Sequence, residues 1–241
     1  MKMEGSVALV TGANRGIGRA LVERLLEQGS TRVYAAVRNK GELSRVVALD
    51  PERVVPLTLD VTDQSAVQAV ARQAGDVTLL VNNAGSLALG SILSAPPELI
   101  VRDMDTNYYG TLHMVRAFAP VIEANGGGAV VNLLTVVALA SMPGLGVYNA
   151  SKAAAWSMTQ SIRADLAGRG IEVFGVFPGA VDTDMIRDFD MPKTSPEEVA
   201  RAVLDGIEVG EEDIFPDPMS RSVYAGWRAD HKAVERQMAN S

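Results

Sequence analysis

A tyrosine and a lysine stand four positions apart in this chain, Tyr148 and Lys152, and together they can perform acid-base chemistry. The sequence that follows the tyrosine, NASKAAAWSMTQSIRADL, predicts a helix, on which residues four apart lie on one face. A nearby cation favours the phenolate and lowers the pKa of a tyrosine from about 10. Such a tyrosine can donate the proton that reduction of a ketone by hydride transfer requires. The same spacing also occurs on ordinary surface helices, so its meaning depends on the rest of the chain.

A glycine-rich turn near the N-terminus can hold an anionic group. It reads TGANRGIG over residues 11–18, follows a short apolar stretch and precedes the amphipathic sequence GRALVERLLEQG. Glycines let the backbone approach an anion, and the following helix offers free N–H groups and a positive dipole end to a pyrophosphate. Gly12, Gly16 and Gly18 form G-x-x-x-G-x-G, which differs from the dinucleotide fingerprint G-x-G-x-x-G. A purely structural turn is the alternative interpretation.

Short apolar stretches alternate with helical patterns along the chain. Strands are predicted at 6–11, 32–37, 53–59, 77–81, 128–134 and 171–177, and helices at 17–28, 42–49, 63–74, 98–123 and 147–168. Because the strands are almost continuously apolar and alternate with helices, we expect an α/β fold with a doubly wound parallel sheet. No linker divides residues 1–241, which predicts a single domain. Its tail adds a helix at 195–208, an apolar segment at 213–216 and a last helix from about 219.

The composition is that of a globular protein and argues against several partners. Hydrophobic residues make up 47% of the 241 residues, and the net charge is −7 without a lysine or arginine run, so no nucleic-acid partner is expected. The chain has no cysteine and two histidines, which excludes disulfides and a thiolate metal site, and we expect no metal. The N-terminal apolar run breaks at Thr11 and is too short for a membrane span or signal-peptide core. This predicts a cytoplasmic protein without membrane contact.

Four motifs occur in order between residues 5 and 185. They are TGxxxGIG at 11–18, NNAG at 82–85, the Tyr-x-x-x-Lys pair, and PGxVxT at 178–183. In this order and spacing the chain resembles the short-chain dehydrogenases/reductases. The resemblance implies a Rossmann fold, a nicotinamide cofactor and reversible hydride transfer between a carbonyl compound and an alcohol.

The resemblance also implies roles for four side chains. Tyr148 would be the general acid and base, while Lys152 would lower its pKa and bind the nicotinamide ribose. Asn107, in DTNYYG, would support a water molecule of a proton relay. The family usually places a serine thirteen or so residues before the tyrosine to orient the carbonyl, and here that position is Thr135. Because threonine adds a methyl that stiffens the side chain, we expect it to bind the substrate oxygen at some loss of rate or substrate range.

Two other functions share part of this pattern. A catalytically impaired NADP-binding regulatory protein of the same fold is one alternative, and Thr135 is the feature that favours it. An epimerase or dehydratase on a related fold also uses Tyr-x-x-x-Lys. That reading is disfavoured by the glycine spacing and by the short tail beyond Met185. The leading interpretation is an NADPH-dependent carbonyl reductase.

The choice between NAD and NADP depends on the group that meets the 2′ position of the adenosine. A carboxylate at the end of the second strand favours the hydroxyl of NAD, and an arginine favours the phosphate of NADP. The resembled pattern would place the acid at Val37, where this chain has none, and Arg38 follows it. Arg15, inside the glycine turn, is a second basic residue. Both arginines predict NADP(H), although each alone also fits an ordinary solvated side chain.

The motifs assign the remaining cofactor contacts by resemblance. Asp60 would contact the adenine amino group, although Asp60 or Asp63 can alternatively cap the next helix. The complete predicted cofactor site consists of Gly12, Asn14, Arg15, Gly16, Ile17, Gly18, Arg38, Asp60, Val61, Asn83, Ala84, Gly85, Tyr148, Lys152, Pro178, Gly179, Val181 and Thr183.

Three segments beyond the strand ends are expected to contact the substrate, 86–93, 139–147 and 184–193. They are rich in leucine and methionine, which favours a small apolar carbonyl or alcohol substrate over a charged one. The segment after 183 is short for a lid, which indicates an open pocket. The resemblance implies a homodimer or homotetramer joined through the helices at 98–123 and 147–168.

Overall fold

The structure is a computed structural model, and it describes residues 1–240. One sheet contains seven strands in the order β3-β2-β1-β4-β5-β6-β7, and every pair is parallel. The strands are β1 (Val7–Thr11), β2 (Arg32–Val37), β3 (Val54–Thr58), β4 (Leu79–Asn82), β5 (Gly128–Leu133), β6 (Ile171–Val176) and β7 (Asp213–Ile214). The expected doubly wound parallel sheet is confirmed.

Helices cover both faces of the sheet, because successive strand residues point into two separate apolar cores. Leu9 belongs to the core that the helices at 64–73, 111–124 and 146–166 cover, and Val10 belongs to the core that the helices at 16–27 and 196–209 cover. Both side chains are fully buried. The helices are α1 (Gly16–Glu27), α2 (Leu43–Val47), α3 (Gln64–Gln73), α4 (Pro97–Met104), α5 (Thr111–Ala124), α6 (Gly146–Leu166), α7 (Pro196–Val209), α8 (Pro218–Ala229) and α9 (His231–Met238).

The strand order reverses between β1 and β4, which lie side by side although β2 and β3 separate them in sequence. In open parallel sheets such a reversal leaves a crevice at the carboxyl ends of the strands, where ligands bind. The glycine turn follows β1, and the 82–85 motif begins at the end of β4. The fold therefore brings two of the four motifs to one edge of the sheet.

The helix predicted over 98–123 is interrupted in the structure. Between α4 and α5 lies a π-helical turn, Asp105–Gly110, that contains Asn107. A Cβ on Gly110 would lie 2.6 Å from Cγ2 of Val61, so this turn passes the loop after β3 too closely for a side chain. Such turns are rare and often occur at functional sites. Here the turn carries a buried asparagine towards the carboxyl edge of the sheet.

Other boundaries shift by a few residues. The predicted helix at 42–49 shortens to α2, which follows a 3₁₀ turn at Lys40–Glu42. α7 begins after Ser195, which forms a capping box with Glu198 as the sequence TSPEE indicates. The last helical stretch divides into α8 and α9 at Asp230, whose carboxylate caps the second of them.

No helix within residues 1–240 is long and apolar enough to cross a membrane.

Candidate active site

The glycine turn folds tightly over the ends of β1 and β4. A Cβ on Gly18 would lie 2.3 Å from the Gly12 carbonyl oxygen and 2.4 Å from Nδ2 of Asn83, which leaves no room for a side chain. Gly12 and Gly16 have φ angles of +65° and +52°, in the region that favours glycine. Asn83 Nδ2 donates to the carbonyl oxygens of Thr11 (2.9 Å) and Gly12 (3.2 Å) and holds the turn.

The turn leaves an anion-binding end on α1. Its N-cap, Arg15, makes no side-chain capping hydrogen bond within the described chain, so the first backbone N–H groups of the helix are not capped. A helix end of this kind attracts a phosphate. Ile17, on the first turn, packs against the core beneath α1 and anchors this end. The N-terminus of α1 therefore fits a pyrophosphate.

The 178–183 motif packs against the glycine turn. A Cβ on Gly16 would lie 2.9 Å from Cγ2 of Thr183, and Val181 is buried behind it. The Gly179 N–H donates to Oδ2 of Asp217 (2.8 Å), a fully buried carboxylate at the start of α8. Asp217 was not among the predicted site residues. Its only local signal is an acid before a proline at a helix start, and its partner lies 38 residues away.

Two arginines stand near the predicted adenosine end of the site. Arg38 is exposed after β2 and forms no ion pair with any residue from 1 to 240. Arg15 is also exposed, and its Nη1 lies 3.1 Å from Oδ2 of Asp184. Asn14 Nδ2 donates to Oε2 of Glu42 (2.6 Å) at the same side of the turn. Arg38 is thus free to meet a phosphate, whereas Arg15 must exchange a carboxylate partner for one.

Asp60 and Asp63 have different local roles. Oδ1 of Asp63 accepts hydrogen bonds from the N–H groups of Ser65 and Ala66 and caps α3. Oδ1 of Asp60 instead binds the N–H and the hydroxyl of Thr62, at 3.0 and 2.7 Å. The capping alternative therefore holds for Asp63 and not for Asp60.

The Tyr148 and Lys152 side chains lie at the start of α6, beside the end of β5. Lys152 is buried, and its Nζ donates to the Leu133 carbonyl oxygen (2.7 Å) and lies 5.9 Å from the centre of the Tyr148 ring. A Cβ on Gly85 would lie 3.2 Å from Oδ1 of Asn107 and 3.7 Å from the lysine Nζ. The end of the 82–85 motif thus borders both polar side chains.

Asn107 joins the loop after β4 to α6. Its Nδ2 donates to the Ser86 carbonyl oxygen (2.9 Å) and to Oγ of Ser151 (2.8 Å), and its Oδ1 accepts the Ser86 N–H (3.0 Å). Oγ of Ser151 in turn donates to the backbone carbonyl oxygen of Tyr148 (2.8 Å). The N–H of Ala84 is fixed separately by the Thr11 hydroxyl (3.0 Å). The sequence analysis does not predict Ser151 as a site residue and includes Ser86 only as the first residue of a substrate segment, because their contacts with Asn107 are distant in sequence.

Thr135 lies two residues beyond the end of β5 and is 8% exposed. Its hydroxyl donates to the Pro178 carbonyl oxygen (3.3 Å) and accepts the N–H of Val137 (3.4 Å). Both bonds are long. To donate to a substrate oxygen, the hydroxyl proton has to leave the Pro178 carbonyl.

Burial dominates the electrostatics of the tyrosine and the lysine. It raises the pKa of Tyr148 well above its ordinary value, an effect that the charge of Asp103 adds to and the Thr135 hydroxyl opposes. Burial also lowers the pKa of Lys152 to about 8, and Asp103 opposes this. The phenol is therefore protonated at neutral pH. The lowering by Lys152 that the resemblance implies is not seen here, where its ammonium contacts a backbone carbonyl.

The first two of the three predicted substrate segments meet at the start of α6. The Gly90 N–H donates to the Gly144 carbonyl oxygen (2.7 Å), and a Cβ on Gly146 would lie 2.8 Å from that of Ile92. The first two segments therefore pack against each other beside the tyrosine. In the third segment, 184–193, two backbone hydrogen bonds join the residues on either side. The Asp182 N–H donates to the Thr194 carbonyl oxygen, and the Thr194 N–H donates to the Ala180 carbonyl oxygen (2.9 Å each).

Comparisons with known proteins agree with this geometry. The family model for short chain dehydrogenases matches residues 6–193. A short chain dehydrogenase from Burkholderia cenocepacia, solved in complex with NADP, has a TM-score of 0.93 and 42% identity, with 99% of each chain covered. A short chain dehydrogenase/reductase from Burkholderia phymatum, solved with NAD, has a TM-score of 0.89 and 28% identity, covering 100% of this chain and 98% of that one. An uncharacterized oxidoreductase of Staphylococcus aureus is 32% identical over 208 residues, 82% of this chain and 89% of that protein.

The chain therefore belongs to the short-chain dehydrogenase/reductase family, whose members are oxidoreductases that bind a nicotinamide cofactor. The expected family and Rossmann fold are both confirmed.

Proposed function

We propose that this oxidoreductase catalyses the NADPH-dependent, reversible reduction of a ketone or aldehyde to an alcohol. The observation that supports the proposal is the convergence of Tyr148, Lys152, Asn107 and Thr135 beside the glycine turn. They come from three separate elements, namely α6, the π-helical turn and the end of β5. Such a constellation offers a proton donor together with groups that orient a carbonyl.

In the proposed reaction, Tyr148 donates its phenolic proton to the oxygen of the carbonyl compound. Burial keeps the phenol protonated, which is the state that reduction needs. The Thr135 hydroxyl orients the same oxygen, and Asn107 holds a water molecule that returns a proton. Lys152, as a cation, would bind the nicotinamide ribose and stabilise the Tyr148 phenolate, which is how it would lower the pKa of the tyrosine. When bound, the reduced nicotinamide supplies the hydride.

The residues present fit a dinucleotide. The glycine turn and the uncapped end of α1 would hold the pyrophosphate, and the 82–85 and 178–183 motifs would border the riboses and the nicotinamide. For NADP, the support is Arg38, which has no ion-pair partner among residues 1–240, Arg15 in the glycine turn and the apolar residue Val37 where NAD-specific chains carry an acid. The Burkholderia cenocepacia relative holds NADP, which favours the same choice.

We propose an apolar carbonyl compound as substrate. The segment beside the tyrosine exposes Leu89 (57%), Ile92 (48%) and Leu93 (95%), and the segment after Thr183 exposes Met185 (44%). Exposed apolar side chains grouped around a site mark a surface for apolar ligands.

We also propose that the chain is a single domain and assembles as a homodimer or homotetramer through α4, α5 and α6. The outer face of α6 is lined by exposed small residues, Ala150, Ser157 and Ala164, which permit close helix packing. Light scattering during size-exclusion chromatography should give a multiple of the 25.5 kDa chain mass. A mass of one chain would contradict the proposed assembly.

The activity is tested by following absorbance of the reduced cofactor with a panel of ketones and aldehydes. We expect oxidation of NADPH in preference to NADH, and loss of turnover by about 10²-fold or more in Tyr148→Phe, which removes the proton donor and keeps the ring. Binding of NADPH to this variant, measured by fluorescence titration, should be retained. NADPH binding without oxidation across the whole panel would favour the impaired regulatory protein instead.

A further inference from the structure

The proposed reaction does not use the buried carboxylate of Asp103 on α4. Its side chain is 0% exposed. It accepts hydrogen bonds from Oγ of Ser86 (2.7 Å), from the Ala88 N–H (2.7 Å) and from the Arg102 guanidinium (3.0 and 3.2 Å). A buried carboxylate is costly unless its partners are this complete. These donors stabilise the charged form of the buried carboxylate.

Apart from Arg102, the partners of Asp103 are Ser86 and Ala88, which follow the 82–85 motif. Asn107, one turn further along the same helix, binds the N–H and the carbonyl of Ser86, while Asp103 binds its hydroxyl. All three polar groups of Ser86 are thereby attached to one helical segment. Asp103 also accepts the N–H of Ala88, two residues further along the apolar substrate segment.

Asp103 also places a negative charge near the reacting groups. The charge of Asp103 acts on both Tyr148 and Lys152, and the Lys152 Nζ lies 5.9 Å from the centre of the tyrosine ring. Arg102 pairs with Asp103, and Thr135 contributes a neutral hydroxyl. Arg102 is 47% exposed, so water screens its charge more than that of the fully buried acid. Asp103 raises the pKa of Tyr148 and opposes the lowering of the pKa of Lys152.

We propose that Asp103 is a positioning residue for the reaction: by holding Ser86 and Ala88 it fixes the Asn107 amide and the substrate segment relative to Tyr148. This role rests on the proposed carbonyl reduction. Asp103 would touch neither substrate nor cofactor, unlike the four side chains of the proposed reaction. Without the carboxylate, the Ser86 hydroxyl would lose its acceptor, and only Asn107 would still hold Ser86 in place.

The first test replaces Asp103→Asn, which keeps the shape and removes the charge. We expect kcat to fall about tenfold or more, because small misplacements at a reacting centre are costly. The dissociation constant for NADPH, measured by fluorescence titration, should stay within about twofold, since the glycine turn is untouched. Glu98→Gln is the matched control, because it removes one acid from an exposed position on the same helix.

The pH profile separates positioning from general structural damage. Oxidation of an alcohol requires the phenolate, and loss of a nearby negative charge favours that form. The profile of kcat for alcohol oxidation should therefore move to lower pH in Asp103→Asn and stay in place in Glu98→Gln. A parental kcat with an unmoved profile would overturn the proposal, as would a loss of NADPH affinity as large as the loss of kcat.

A second variant covers the case in which Asp103→Asn does not fold. Ser86→Ala removes one hydrogen bond and leaves those to Ala88 and Arg102. It should lower kcat, because Ser86 loses its side-chain hydrogen bond to the Asp103 carboxylate. Parental kcat in Ser86→Ala would then overturn the proposal.

Hydrogen exchange gives a measurement that needs no turnover. Deuterium uptake by a peptide covering 84–93 should rise in Asp103→Asn and Ser86→Ala and remain parental in Glu98→Gln. Unchanged uptake in both site variants would overturn the positioning role even if the enzyme is active. Raised uptake in both site variants, together with a parent protein that reduces no carbonyl compound, would instead mean that the proposed function has failed while the contact holds.

Discussion

At the scale of single residues, two acceptors compete for the one hydroxyl proton of Thr135, namely the Pro178 carbonyl oxygen and the substrate oxygen. The hydroxyl donates to the Pro178 carbonyl oxygen in this structure, and the proposed role requires donation to the substrate. A serine has no branch methyl and reorients more freely than a threonine. This difference makes the residue open to a direct kinetic test.

We expect Thr135→Ser to match or exceed the parental kcat/KM, and Thr135→Ala to lower it by about tenfold to a hundredfold, because the alanine variant loses one donor to the developing alkoxide. Steady-state kinetics with bulky and small ketones would measure both effects, and the serine variant should gain most with bulky ones. An alanine variant with parental kinetics would show that the hydroxyl takes no part in the reaction.

The choice of cofactor is also decided by single side chains. Arg38→Ala should raise the KM for NADPH about tenfold, since a charge-assisted bond to a phosphate is worth roughly 1.5–3 kcal/mol. The KM for NADH should change little, because that cofactor has no 2′-phosphate. Arg45→Ala, at an exposed position on α2, is the control for loss of one positive charge. Equal effects on both cofactors would exclude a role for Arg38 in the preference.

At the scale of secondary structure, the π-helical turn depends on one small residue. Gly110 lies against Val61, and a methyl group there would enter the space of its Cγ2 at 2.6 Å. We expect Gly110→Ala to lower the free energy of unfolding by about 1–3 kcal/mol through overpacking, and to lower kcat by displacing Asn107. Urea unfolding and steady-state kinetics measure the two effects.

Gly168→Ala provides the matched control, because a Cβ there meets no atom within 4 Å. It should leave kcat unchanged and change stability by less than about 1 kcal/mol. Equal unfolding free energies and equal kcat values in the two alanine variants would show that the close approach of the turn to the loop after β3 affects neither stability nor activity.

The same turn shows why the sequence predicts part of this fold and not all of it. Apolar periodicity gives a continuous helix over 98–123, since nothing local marks the interruption at Asn107. The interruption is tied to distant contacts, namely the bonds of Asn107 to the Ser86 backbone and the approach of Gly110 to Val61. Strand positions were predictable because burial on both faces leaves a local apolar signal.

The candidate site likewise contains residues that the sequence predicts and residues that it does not. Tyr148 and Lys152 could be predicted because their spacing on one helix is itself the signal. Asp103 and Asp217 could not, because an acid within an amphipathic helix or before a helix-initiating proline is normally solvated. Their burial arises from the folding back of residues 86–88 and 179 onto them, which only the tertiary structure contains.

At the scale of the whole molecule, the buried lysine couples folding stability to pH. The pKa of Lys152 is lowered to about 8 in the folded chain, against about 10.4 when unfolded. Between these values the unfolded chain binds more protons, so this group's contribution to stability rises with pH. Above about pH 10 the raised pKa of Tyr148 acts in the opposite direction, because only the unfolded chain then loses that proton.

We therefore expect the unfolding free energy of the parent, relative to Lys152→Met, to increase by roughly 2–3 kcal/mol from pH 7 to pH 10. Urea unfolding of the cofactor-free proteins at several pH values measures the difference, in which other titrating groups cancel. Lys40→Met, at an exposed position, is the control for removing one positive charge. A difference independent of pH would mean that the buried ammonium is fully compensated by its surroundings.

The pair of backbone bonds between 180–182 and Thr194 has a consequence for how this protein can diverge. Main-chain bonds do not depend on which side chains lie between them, and here they join both ends of the 184–193 segment to each other. Its interior can therefore be exchanged, lengthened or shortened while the ends stay at the sheet. Under the proposed function, in which this segment contacts the substrate, transplanting it from a relative is a route to a new substrate range with Tyr148 and Lys152 left in place.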